Sequence, residues 1–248
     1  MDIVITMAGI GQRFKDAGYL EPKYCIGVRG KSLFEWSMES LRDFIREENI
    51  FYFVVRKADD KRDFLIQKCK EIGIAHPVVI ELEEMTDGQA TTALLASRFW
   101  RKEEGLLIYN IDTYVEAFSI KQSDMAGDGF IPCFYAEGTH WSFVRTDETG
   151  KADLVKEKER ISDHCTIGAY YFQSCNLYER LYQEYYIEKR GQKNALSEAE
   201  RKERYVAPLY QYLIEQGGIV YMNDIVPSRV HVLGTPEELK EFMNDKEY

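Results

Sequence analysis

Asp2-Ile3-Val4-Ile5-Thr6-Met7-Ala8-Gly9-Ile10-Gly11-Gln12-Arg13-Phe14 opens on a short β-branched run and breaks at once into two glycines and a cation. The run predicts a buried strand, Asp2 to Met7. Gly9 and Gly11 let the backbone adopt left-handed conformations and approach a ligand closely. Consecutive N–H groups in such a turn form an anion-binding nest. Arg13 adds a planar fork suited to phosphate oxygens, and Lys23, after Pro22, adds a mobile point charge. The dinucleotide fingerprint is excluded, because no third glycine follows at its spacing.

Outward from this loop, strand and helix patterns alternate. Ser32 opens a helix with Glu35 at the third position, a capping box, and Phe34, Met38, Leu41 and Ile45 form its apolar stripe. Phe51 to Val55 reads as a second strand, Lys61 to Ile72 as a helix, and Val78-Val79-Ile80 as the start of a third strand. Thr91 to Trp100 predicts a helix, and Leu106 to Tyr109 a fourth strand ending at Asn110-Ile111-Asp112. Strands alternating with helices imply βαβ units and a mainly parallel α/β sheet. Ligands bind such sheets beyond the carboxyl ends of the strands, where the glycine loop and Asp112 both fall.

The later half is less regular. Gly129 to Ala136, Ser142 to Thr146 and Thr166 to Phe172 read as strands, and Asn176 to about Ile187 as a tyrosine-rich helix. Lys189 to Arg204 is highly charged and predicts a solvated loop or fraying helix. Val206 to Glu215 is a helix, Ile219 to Met222 a strand, and Thr235-Pro236-Glu237-Glu238 a helix start. We expect one domain over 1–248, in two halves, 1–128 and 129–248.

The 248 residues carry a net charge of −10, which argues against a nucleic-acid groove or an anionic membrane as partner. Five cysteines without a CxxC pair give neither a disulfide framework nor a zinc site. No basic leader or long apolar stretch is present, so the expected setting is cytoplasmic.

The run Met7-Ala8-Gly9-x-Gly11-x-Arg13-Phe14 with Pro22-Lys23 resembles the signature loop of the sugar-phosphate nucleotidyltransferases, the family of the nucleotide-sugar pyrophosphorylases. The resemblance implies a Rossmann-like, GT-A-like fold, with 1–128 as the nucleotide-binding half and 129–248 as the acceptor-binding half. It implies transfer of a nucleoside monophosphate from a nucleoside triphosphate to a small phosphorylated acceptor, a sugar 1-phosphate. It places Met7, Ala8, Gly9, Gly11, Gln12, Arg13 and Lys23 around the triphosphate, with Arg13 neutralising the leaving pyrophosphate and Lys23 contacting the phosphates. Asp87, Gly88 and Gln89, before Ala90-Thr91, are similar to the segment that packs against the nucleobase. Asp112 takes the place of the aspartate that holds Mg²⁺, the implied cofactor.

Glu157-Lys158 resembles the family's acceptor-binding element, with Glu159 and Arg160 following where proline is usual. Ser142, where a glycine often faces the sugar, Gly168 and His231 complete the implied acceptor set. Gly234-Thr235-Pro236-Glu237-Glu238 is similar to a late family segment, but Val232 stands where many members carry a second metal-binding aspartate. That leaves the acceptor open between a sugar phosphate and another phosphate ester. Two other readings also stay open, a GT-A-type glycosyltransferase and a catalytically weak nucleotide-binding relative. The nucleobase and the oligomeric state are not specified.

Overall fold

The computed structural model describes residues 1–188 and 203–245. The chain runs through β1 (Asp2–Thr6), α1 (Gln12–Asp16), the small hairpin β2 (Gly27–Val28) and β3 (Lys31–Ser32), α2 (Leu33–Glu39), β4 (Ile50–Arg56), α3 (Arg62–Ile72), β5 (Pro77–Leu82), α4 (Gln89–Leu94) and β6 (Leu106–Asn110). It continues with β7 (Thr113–Val115), β8 (Gly129–Tyr135), β9 (Ser142–Thr146), β10 (Ala152–Glu157), β11 (His164–Thr166), β12 (Ala169–Phe172) and α5 (Cys175–Tyr182). After the undescribed segment come α6 (Ala207–Glu215), β13 (Val220–Ile225), β14 (Val230–Val232) and α7 (Pro236–Asn244).

A ten-stranded sheet runs β10-β9-β11-β8-β12-β6-β1-β4-β5, with β13 added alongside β8. The strands β6, β1, β4 and β5 are parallel, as their alternation with helices predicts. From β12 outward the path becomes antiparallel, while β13 lies parallel to β8. The chain moves from β1 to β4 and β5, then returns to the other side of β1 as β6. That reversal opens a crevice between β1 and β6 at their carboxyl ends.

Both faces of the parallel half are covered, so its strands read as unbroken apolar runs. Ile3, Ile5, Phe51 and Phe53 face one core, and Val4, Tyr52, Val54 and Ile108 the other. A third cluster (Phe14, Trp36, Tyr114, Leu233 and Phe242) joins α1, α2, β7 and α7 beside the crevice. Burial of each such side chain contributes about 1.5–3 kcal/mol. Both anticipated capping boxes form, Ser32 with Glu35 and Thr235 with Glu238.

Several segments differ from the sequence reading. The Ser32 helix ends at Glu39, and Leu41 and Ile45 of its expected stripe lie beyond it, around a separate turn at Arg42–Phe44. The run Thr166 to Phe172 is two strands, broken at Gly168, whose φ is +80°. Ala152–Glu157 is an added strand hidden by its charges and by a register shift between Ala152 and Leu154, which breaks the two-residue alternation and leaves Ala152 and Val155 as its buried residues. The helix expected over Thr91 to Trp100 begins earlier, at Gln89, and ends at Leu94, with a separate turn at Ser97–Phe99. Most of Lys189 to Arg204 lies outside the described residues. No helix among the described residues is long and apolar enough to cross a membrane.

Candidate active site

The loop after β1 turns at the crevice floor. Met7 N–H donates to the Val54 carbonyl at 3.0 Å, holding the loop's first residue against β4. Gly11 has φ +65°, and its carbonyl accepts from the N–H groups of Phe14 and Lys15, which starts α1. Buried Phe14 anchors that short helix while Arg13 faces solvent. A cavity of about 130 Å³ sits on this loop, lined by Met7, Gly9, Gly11, Lys23 and Asp112 among others. Lys23 Nζ lies 2.9 Å from Asp112 Oδ2. Asp112 is held by its own carbonyl, which accepts from Leu233 N–H at 2.7 Å. Sequence and crevice thus bring the loop, the lysine and the aspartate into one place.

A second cavity, about 620 Å³, opens on the other side of the loop and is lined by Ala8, Gly9, Asp87, Gly88, Gln89 and Asp112 among others. Gln89 Nε2 donates to Thr6 Oγ1 at 3.2 Å, which orients its amide across the cavity wall. Gly88 has φ +140°, and a Cβ there would fall 2.4 Å from the Arg204 carbonyl oxygen. Its missing side chain therefore accommodates the chain's own backbone. Arg204 is stitched in by its N–H to the Asp87 carbonyl (2.6 Å), its carbonyl to Ala90 N–H (3.0 Å) and its guanidinium to Asp87 Oδ2 (3.0 Å).

The third cavity, about 330 Å³, is lined by Arg13, Asp112, Ser142, Glu157, Lys158 and Gly168 among others. Ser142 Oγ hydrogen-bonds Glu157, and Tyr170 Oη lies 3.3 Å from Ser142 Oγ and 3.0 Å from Thr166 Oγ1. Burial pushes the Glu157 carboxyl above the usual glutamate range, opposed by its Ser142 bond and by Lys158. Lys158 has φ +56°, and its N–H donates to the Trp141 carbonyl at 2.8 Å. The left-handed turn carries its ammonium over the Tyr205 ring, 4.4 Å from the centroid and 4.0 Å from both Glu157 and Glu203.

Two expected site residues lie elsewhere. His231 does not line the third cavity: its ring stacks on Tyr114 at 5.3 Å and packs against Phe242 at 5.1 Å, and burial lowers its pKa. Successive strand residues face opposite sides, and in β14 it is Val232 that lines the cavity. Gln12 is exposed and donates to Asp16 Oδ1 at 2.7 Å, away from all three cavities. Arg13 borders the third cavity rather than the loop cavity, and no hydrogen bond or ion pair restrains its side chain among the described residues.

Sequence reasoning missed Asn110, which lines all three cavities. Its Oδ1 is buried and meets no donor among the described residues, and Gly168 packs so closely that a Cβ there would overlap the amide. The available signal was its place as the last residue of a strand at the crevice. Tyr205, which lines the second and third cavities, carried none. Among the described residues no three His, Cys, Asp or Glu side chains cluster as metal ligands.

No protein-family model matches the chain, and no curated protein does. Solved structures do. The chain is similar to the nucleoside-diphosphate-sugar pyrophosphorylase from Vibrio cholerae RC9, with 32% identity and a TM-score of 0.87, over 98% of this chain and 100% of that one. It is similar in fold to the inositol-1-phosphate CTP transferase from T. maritima (15% identity, TM-score 0.73, 99% of this chain and 96% of that one). The CTP:phosphocholine cytidylyltransferase from Streptococcus pneumoniae shares the fold likewise (14% identity, TM-score 0.73, 98% and 97%).

Proposed function

The chain belongs to the sugar-phosphate nucleotidyltransferase family of nucleotide-sugar pyrophosphorylases, and from that premise we propose that it joins a nucleoside monophosphate to a sugar 1-phosphate with Mg²⁺ as cofactor. The observation that carries this reading is the meeting of three cavities at Asn110 and Asp112. The roomiest suits a nucleoside, the loop cavity suits phosphate, and the third suits a hydroxylated acceptor.

In this reading an acceptor phosphate oxygen attacks the α-phosphorus in line. The bond from that phosphorus to the bridging oxygen breaks, and pyrophosphate leaves with the electron pair. No protein nucleophile is needed, so catalysis consists of positioning and charge neutralisation. The loop N–H groups and Lys23 hold the triphosphate. Arg13, exposed and unrestrained among the described residues, follows the charge on the transferred and leaving groups. Gln89 and the Asp87-Gly88 backbone border the base. Ser142, Glu157 and Tyr170 offer hydrogen bonds to acceptor hydroxyls, and Lys158 leaves the Tyr205 ring to meet the acceptor phosphate.

The residues fit Mg²⁺. Asp112 already faces a cation, the Lys23 ammonium, and Asn110 presents a buried oxygen without a donor. One carboxylate, one amide oxygen and substrate phosphates make a usual Mg²⁺ donor set, which meets the lack of a carboxylate at Val232. Bound there, the ion supplies charge neutralisation on phosphate oxygens.

The test is a screen of the four ribonucleoside triphosphates and dTTP against sugar phosphates and other phosphate esters, reading pyrophosphate. Asp112→Asn should bind nucleotide and lose most turnover. A reaction that releases no pyrophosphate, or an Asp112→Asn protein as fast as the wild type, would sink the proposal.

A further inference from the structure

We propose that Arg56 is an anchor for the terminal phosphates of the nucleotide and for the pyrophosphate it becomes. The inference rests on the transferase reading above and adds a residue that the signature loop does not include. Arg56 ends β4, the strand beside β1, and so stands at the same carboxyl edge as the glycine loop. Its side chain lines the loop cavity together with Gly9, Gly11 and Lys23.

The guanidinium is held in place without being used up. Asp59, three residues on and only 3% exposed at its side chain, pairs with one terminal nitrogen of Arg56. Tyr24 Oη donates to the other oxygen of Asp59 at 3.1 Å, so the carboxylate is fixed from both sides. Tyr24 is itself buried and follows Lys23 directly, which ties the arrangement to the phosphate loop. Arg56 Nε, however, is buried and has no acceptor among the described residues. A guanidinium nitrogen can only donate, so this is an unmet donor whichever way the group is drawn. That nitrogen is sealed against protein, so the part of the guanidinium open to the cavity is its terminal edge: the side chain is 19% exposed and one terminal nitrogen alone is paired with Asp59, which leaves terminal N–H donors for a phosphate oxygen.

Size and position select the ligand. By the same measure the loop cavity, at about 130 Å³, is far smaller than the 620 Å³ cavity, so the smaller one is assigned to phosphate and the larger to the nucleoside. The smaller cavity lies on the Lys23 and Tyr24 side of the loop, whereas Gly88 and Gln89 line the roomier cavity on the other side. The α-phosphate belongs near Asp112, shared by both, and the outer phosphates extend toward Arg56.

The experiment uses the full chain and calorimetry with inorganic pyrophosphate in Mg²⁺ buffer, beside AMP, CMP, GMP, UMP and dTMP. Arg56→Gln should weaken pyrophosphate binding about tenfold or more, the scale of losing one charge-assisted hydrogen bond. The monophosphate that the wild type binds should be held as before. Arg56→Lys, which keeps a cation for Asp59 but not the planar fork, should show the same selective loss to a smaller degree, and it decides the matter if Arg56→Gln does not fold. Unchanged pyrophosphate affinity in the folded variants, or an equal loss for both ligands, overturns the anchor alone. A wild-type protein that binds no pyrophosphate contradicts the transferase reading itself, and the anchor with it.

Discussion

Replacing Lys23 by methionine removes an ammonium that lies 2.9 Å from Asp112 Oδ2 while keeping the length of the side chain. The Lys23 side chain is 15% exposed and that of Asp112 36%, so water reaches the pair. With water's dielectric constant, Coulomb's law at this distance gives about 1.4 kcal/mol, and a drier setting gives more. The lysine therefore competes with any divalent cation for Asp112 in the absence of nucleotide. Lys23→Met should bind a bare divalent ion about tenfold more tightly, although turnover should fall by about a hundredfold through loss of a phosphate contact. Mn²⁺, which has a paramagnetic signature, reports the first effect in a titration without nucleotide. Asp112→Asn, alone or combined with Lys23→Met, should abolish the gain. Mn²⁺ affinity that is unchanged or weaker in Lys23→Met would refute the assignment of Asp112 as a metal ligand screened by lysine.

Three further outcomes follow from the acceptor side. Gly168→Ala would force a left-handed alanine whose Cβ overlaps the Asn110 amide, so it should lower the Tm and raise the acceptor KM, read by thermal melts and initial rates. Lys158→Ala should raise the acceptor KM strongly and leave nucleotide affinity nearly intact, as measured in separate titrations. Burial raises the Glu157 pKa, so the folded state keeps that proton to higher pH than the unfolded chain does. The cost of a buried carboxylate is then absent in acid and grows as pH rises through the folded pKa. Glu157→Gln should therefore raise the Tm more at pH 8 than at pH 4, and an equal shift at both would contradict it.

What was legible in the sequence follows the range of the forces involved. β1 could be read because Ile3, Val4 and Ile5 are buried on both faces, so no polar residue interrupts the run. The capping boxes at Ser32 and Thr235 could be read because their bonds span three residues. The loop, Lys23 and Asp112 could be placed together because strand ends in a parallel sheet share an edge. The contact of Gly168 with Asn110 could not, since it depends on the pairing of β12 with β6. The side chain of His231 was misplaced for a related reason: the phase of β14 is set by its register with β7, where His231 stands opposite Tyr114. Arg56 escaped notice because its meaning depends on a donor left open, which residue type alone does not reveal.

The splice of Arg204 into the backbone of Asp87 and Ala90 bears on how this enzyme could diversify. Residues 87–89 border the cavity proposed for the nucleoside, and Tyr205, the next residue after Arg204, borders both that cavity and the one proposed for the acceptor. A mutation that reshapes one pocket should thereby be felt at the other through two main-chain hydrogen bonds. On the proposed assignment donor and acceptor preference should not be separable traits, and exchange of either one by grafting a short segment from a relative should show strong epistasis. A double-mutant cycle pairing a change at Gln89 with one at Lys158 would measure that coupling, and additivity of the two would place the preferences on independent footing.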